Sequence, residues 1–372
     1  MNMLQRCQWL AIFALSVFLA GCVISPRRPD PNANSGTTTT PPPTTTPPPP
    51  TPPPPPTTPV GKLYVSNEAT NTIVRFDNAL AATATGNLTP GATLTGANTL
   101  FDKPGALLVD TAADRLYVAN PSTLAKTNQA ILVFDSISTK TGNVAPNRVI
   151  TGAATGLTIP VDLALDKAND ILYVADDIDV LAFGSASSSS GNVTAGRTMT
   201  VAFTISAMLL DTANNILYLA DPATNTINVY DNASTLSGNI TANRSITGAA
   251  TGLSQPVGLR FDSTGRLVVT NFNPPSITIF GSAATANGNV APAATISGAA
   301  TALTSPVQSA FNASADELYQ VDETGKVLVF SSFSAANGNL APTRNISGAN
   351  TGISGGTAAA PTSLGVALDP AH

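Results

Sequence analysis

Few side chains in this sequence are equipped for catalysis. The only His is His372, at the last position, and the two cysteines are Cys7 and Cys22. That inventory leaves no Ser-His-Asp constellation, no His-ligated zinc and no imidazole base for a buried site. A Gly-x-Ser-x-Gly string runs from Gly352 to Gly356, but it sits in a Gly/Ala-rich loop with no helical pattern behind it and reads as chance. There is no phosphate loop and no dinucleotide-binding glycine fingerprint, and no cofactor is expected.

Carboxylate, amide and guanidinium chemistry remains. Asp176, Asp177 and Asp179 place three carboxylates within four residues, enough for weak calcium binding but without the glycine-turned loop of an EF-hand. Asn67, Asn120, Asp176, Asp221, Asn271 and Asp322 recur at matching points. A ring of oxygens could hold cations there, but regular recurrence favours Asx turns into the loops that follow. Asp162, Arg260 and Gln308 interrupt a pattern of small residues, where they could orient a small polar ligand or line a wet channel. Lys126, in a loop of doubled length, and Phe272, in a loop with Pro274 and Pro275, stand where otherwise similar segments differ. Loops on a rigid scaffold carry recognition, so both join the candidates. The binding candidates are therefore Asp162, Arg260, Gln308, Lys126, Asp177, Asp179 and Phe272, with no catalytic or metal-ligating set.

These positions are defined by a repeat that must carry them. A Gly-Asn pair recurs at Gly86, Gly142, Gly191, Gly238, Gly288 and Gly338, about fifty residues apart, the period of propeller blades. Each unit reads as four short strands rich in β-branched and aromatic residues and bounded by Gly, Asn, Asp and Pro. The first strands are 106–110, 161–166, 207–211, 257–262, 307–312 and 364–369. The second carries Tyr64, Tyr117, Tyr173, Tyr218, Val268 and Tyr319 in one column, and the third ends in Phe76, Phe134, Phe183, Tyr230, Phe280 and Phe330. The fourth is a Thr-Gly piece such as 245–248. No long helix is expected. The predicted fold is all-β: a six-bladed propeller of four-stranded antiparallel blades. Small residues at Ala106, Ala164, Ala207, Gly258, Ala310, Gly365 and Ala367 mark the first strand as the innermost, where blades converge. The repeat begins with a second strand at Lys62 and ends with a first strand at Asp369, so both termini build the first blade and close the ring.

These columns, an apolar strand ending in Asp, then Tyr-Val-Ala-Asp, then Ile-x-Val-Phe, resemble NHL-type repeats over about five-sixths of the chain. The resemblance implies a six-bladed propeller serving mostly as a binding platform. The gluconolactonase-like propellers of related fold imply an alternative, a metal-dependent hydrolase. Their channel metal is held by Glu, Asn and Asp, the first in a Glu-Gly-Pro motif. That motif is missing here, and Glu68, Glu317 and Glu323 all fall at the second strand or its loop, so no ligand is carried over.

The front of the chain is an address. Arg6 precedes an apolar run from Trp9 to Ala20 that ends Leu19-Ala20-Gly21-Cys22, which looks like a bacterial lipobox with Cys22 as the acylated residue. Acyl chains contribute about 0.8 kcal/mol per buried methylene, so several give stable anchoring. Val23 after the cysteine resembles an outer-membrane sorting signal. Residues 37–59 are only Thr and Pro, a semi-rigid stalk that at ~3.1 Å per residue reaches roughly 70 Å. The expected domains are a signal peptide over 1–21, a lipidated stalk over 22–60 and a propeller over 61–372. The net charge of −5 and the lack of a basic cluster in the propeller argue against nucleic acid. The leading expectation is a monomeric, non-catalytic propeller held at the envelope by lipid, most simply at the outer membrane, and binding a protein or envelope component. A purely structural surface protein is the other alternative. Metabolic labelling with a palmitate analogue should mark the parent chain and miss Cys22→Ser, and equal labelling of both would refute the anchor.

Overall fold

The computed structural model describes residues 61–122, 129–355 and 364–372. All belong to the second of two compact units, Pro55–His372. Cys22, the signal, the stalk and Lys126 lie outside the described residues. Among the described residues no helix is long and apolar enough to cross a membrane.

The repeats form six four-stranded antiparallel sheets. The first strands are Leu107–Asp110, Pro160–Asp166, Ala207–Asp211, Pro256–Phe261, Pro306–Asn312 and Val366–Asp369. In chain order they belong to blades two to six and then to blade one. Second strands such as Ile216–Asp221 are buried along their whole length. A strand apolar on both faces has to be covered on both, and the neighbouring blades do that. The cores accordingly lie between blades. Leu63, Val65 and Phe76 of blade one pack with Tyr319, Val321 and Val329 of blade six. Tyr117 and Val133 of blade two pack with Leu172 and Phe183 of blade three, and the other joints repeat the arrangement. Ring closure follows the sequence expectation: Lys62–Asn67 pairs antiparallel with Val366–Asp369, Lys62 opposite Asp369 and Val65 opposite Val366.

The Gly-Asn pair turns out to be a joint between blades. Gly142 donates its N–H to Thr93 of the preceding blade's outer strand at 2.8 Å, and Thr95 donates back to Gly142. The same parallel bridge recurs at Gly86, Gly191, Gly238, Gly288 and Gly338. It covers outer-strand edges that would otherwise be free to pair with another chain. The Asn side chain adds a second bond at five joints, because Asn87, Asn143, Asn192, Asn289 and Asn339 each accept the backbone N–H of a residue in a short 3-10 turn on the preceding blade. That turn needs its leading glycine. At Gly248, φ is +113° and an added Cβ would lie 2.5 Å from Asn289 Oδ1. Blade three lacks the turn, and among the described residues Asn239 makes no such bond.

Arginines span the same joints on the outer side. Arg344 donates to Ala79 O, Glu317 Oε2 and the Tyr319 hydroxyl at 2.7, 2.7 and 2.9 Å. Arg75, Arg148 and Arg197 likewise reach carbonyls of the next blade. The Asn joint gives an internal comparison. Asn289→Ala should lower stability by about 1 kcal/mol, the usual net value of such a bond. Asn239→Ala should change almost nothing, and chemical denaturation of the two variants checks the contrast.

Candidate functional site

Each first strand runs from one face of the ring to the other. The loops into the first strands and the loops between second and third strands share one face, called here the mouth. A cavity of about 580 Å³ opens there and draws lining residues from all six blades. The position five residues before the Asp or Asn that closes each first strand contributes in every blade: Gly105, Val161, Ser206, Val257, Val307 and Leu364 form its collar. The residue just past the second strand contributes Glu68, Pro121, Phe272 and Glu323.

Two sequence candidates, Phe272 and Gln308, line this cavity. Gln308 Oε1 is buried with no hydrogen-bond partner. Asp162, Arg260, Asp177 and Asp179 are not lining residues. The small inner positions exist because the next inner strand passes very close: a Cβ on Gly258 would sit 2.6 Å from Val307 O, and one on Gly365 would sit 2.1 Å from Gly105 O. Asp162 occupies such a position at 2% exposure and turns to that neighbour. Its Oδ2 accepts the Met208 N–H at 2.9 Å and its Oδ1 accepts the Leu163 N–H at 2.9 Å. Burial pushes this carboxyl up, against the pull of the Arg260 charge and of the two N–H groups. Arg260 donates to Ser309 O and to Leu259 O, both at 2.8 Å. Asp177 accepts from Thr204, in the loop that leads to blade four, and Asp179 accepts from Thr200, at the end of its own blade's outer strand.

The recurrent second-strand Asn/Asp residues make the expected Asx turn in blade four and in blade six, where Asp322 accepts the Thr324 N–H, and five of the six bind a different loop. Asn67, Asn120, Asp176, Asn271 and Asp322 accept backbone N–H groups of the loop that leads into their own blade's first strand, at Ser354, Asp102, Thr158, Ser254 and Thr304. They staple the mouth loops to the strands. Burial pushes the Asp176 carboxyl up despite these bonds. Asp221 makes the expected turn, to Ala223 and Thr224, in the blade whose lead-in loop lacks the 3-10 turn. Among the described residues, three carboxylate or imidazole donors come within 4.8 Å of one another at Asp114, Asp369 and His372, on the opposite face. Those carboxylates already accept from Ser138 and Ala371, and Asp369 also contacts the His372 ring.

Three mouth residues are not among the sequence candidates: Lys103, and Glu68 and Glu323, weighed there only as metal ligands and set aside. Lys103 Nζ is 2.8 Å from Glu68 Oε1. The Glu68 pairing, chiefly through its hydrogen bond, raises the Lys103 ammonium above its ordinary value. Glu323 is 8% exposed. Burial, reinforced by Asp322 and then Glu68, pushes its carboxyl up to about 7 from an ordinary 4.5. The available signal was the column after the second strand, where Glu68 and Glu323 replace Pro121, Pro222 and Phe272.

No family model matches the chain. No curated protein matches it either. Among solved structures, the crystal structure of a functionally unknown protein from Desulfotomaculum acetoxidans aligns at 12% identity and a TM-score of 0.49, over 73% of this chain and 75% of that one.

The Glu323 shift has a stability consequence. The folded protein retains a proton that the unfolded chain releases between pH 4.5 and about 7. Stability therefore falls as pH rises through that window, and the whole penalty persists above it. Glu323→Gln removes the penalty while keeping the shape. The variant should exceed the parent by up to about 3 kcal/mol near pH 8, and the gap should close by pH 4.5. Equal denaturation midpoints near pH 8 would contradict this reading.

Proposed function

We propose that this chain is a lipid-anchored envelope propeller of NHL-like repeat type. It holds its ring off the membrane on the Thr/Pro stalk and binds a protein or envelope component at the mouth. One observation carries the reading. Among the described residues the large hydrophobics with substantial exposure are Leu100 at 50%, Ile159 at 42% and Ile178 at 39%, and all three sit in mouth loops. Exposed aliphatics gathered on one face mark an interaction surface. They share the face on which the cavity opens, and Ile159 lines it. The polar residues of the ring are meanwhile engaged in stapling backbone, which suits a rigid platform better than a reaction centre.

A gluconolactonase-like hydrolase is the second reading, and one observation favours it. A carboxyl pushed up to about 7 in a cavity, as at Glu323, is how general bases are tuned. The carboxylates beside it are engaged, however: Asp322 accepts three backbone N–H groups and Glu68 pairs with Lys103.

Capture from envelope extract by the full-length chain in detergent tests the binding reading. Leu100→Asp combined with Ile159→Asp should abolish the captured species seen with the parent and leave the melting temperature unchanged. Undiminished capture by the double variant would move the binding face elsewhere.

A further inference from the structure

The carboxylates at the mouth are not equivalent. Asp322 accepts the N–H groups of Thr304, Ser305 and Thr324, and lies 3.8 Å from Lys326 Nζ. Glu68 is paired with Lys103. Glu323 is more than nine-tenths buried, and its remaining exposure is into the cavity it lines. Among the described residues its carboxylate has no hydrogen bond or ion pair. The cavity lining is mostly apolar, with Val257, Val307 and Leu364 from the collar and Phe272 from the adjacent blade, while Gln308 and Glu68 add polar atoms.

We propose that the channel mouth binds a small organic cation, an ammonium or guanidinium group on an apolar body, with the Glu323 carboxylate as its counter-ion. This deepens, and rests on, the reading of the mouth as the binding face. A desolvated carboxylate without a partner gains most from a cation that arrives with little water of its own to keep. Calcium wants about six to eight oxygens, and one uncommitted carboxylate with the Gln308 amide oxygen cannot supply them. An organic cation needs one counter-ion, and its body gains from the same walls. The Phe272 ring face can add attraction for the charge. The cavity, at about 580 Å³, lies within the roughly 300–1,000 Å³ range of small-molecule sites.

Binding on this basis displaces the Glu323 proton. The charged groups facing Glu323 are Asp322 at the end of its own strand and Glu68 from blade one, with Lys326 and Lys103 paired to them. An alkylammonium stays protonated near pH 7, so Glu323 sets the pH dependence.

The test is calorimetric titration of the full-length chain in detergent with hexylamine and phenethylamine, with hexanol and hexanoate as controls. The amines should bind, and should bind about tenfold more tightly near pH 8 than near pH 6. Glu323→Gln should lose at least about tenfold in amine affinity together with the pH dependence, and should leave any hexanol binding unchanged. Hexanol binding as tight as hexylamine, or amine affinity unaltered in Glu323→Gln, overturns the proposal. A short peptide with one lysine between leucines, compared with the same peptide acetylated on that lysine, separates the two sources of such a cation. Tighter binding of the unmodified peptide than of the free amines assigns it to a protein side chain, and the reverse order assigns it to a free amine. If neither amines nor peptide bind, while the Leu100→Asp, Ile159→Asp double variant still loses capture from extract, the mouth stays the binding face and the cation proposal alone fails.

Discussion

A blade of this protein cannot bury itself. Its sheet is apolar on both faces, so each hydrophobic cluster is shared between neighbours: blades one and six in one case, four and five in another. An unclosed array would leave two such faces in water. At about 25 cal/mol per Å² of apolar surface, that exposure outweighs any single hydrogen bond in the ring. Closure through Val366–Asp369 is thus the condition under which every other contact exists. The Gly-Asn bridges and the short 3-10 turns then fix the angle at which each blade meets the next.

The polar residues follow from the same constraint. Buried polar groups must find partners, and here the partners are mostly backbone groups across a joint or along a mouth loop. Joints differ in which link they use. The one between blades five and six has Ala294 where the outer strands of blades two, three, four and six carry Arg, and it holds Arg260 against Ser309 O on the inner side. The one between blades three and four lacks the Asn bond, and there Asp162 holds Met208. The Asp162 link is buried and the Arg260 link half-buried, and truncating either side chain leaves a backbone group unpaired, at about 1–3 kcal/mol. The surface pair of Arg244 and Asp231, at 2.7 Å, is worth about 1 kcal/mol or less because solvent screens it.

Convergence of six strands on an axis also creates the cavity. The inner strands touch where they carry Gly or Ala, and the collar residues above them close only part of the space at the mouth. In blades one, two, five and six the side chains that follow the second strand line this opening. In blades one and six they are acidic, which puts Glu68 and Glu323 close enough for their charges to interact. That proximity, with the burial of Glu323, gives the mouth its one uncommitted carboxylate among the described residues.

Strand number, blade number and the terminal closure were legible in the sequence, because a fifty-residue period with Tyr and Phe columns admits few packings. The small inner positions were legible too, since crowding near an axis acts on residue size alone. The roles of polar residues were not. Asp162 and Arg260 stand out against Ala and Gly in an alignment of the repeats, yet only the neighbouring strand, some fifty residues away in sequence, shows that their partners are the Met208 N–H and the Ser309 carbonyl. Glu323 looks like an ordinary loop carboxylate in the sequence. Its isolation depends on Asp322 being taken up by Thr304 and Ser305, on Glu68 being taken up by Lys103 and on apolar walls from other blades. Repetition encodes the local structure that each copy can satisfy alone, whereas hydrogen bonding and desolvation depend on which copies the closed ring brings together.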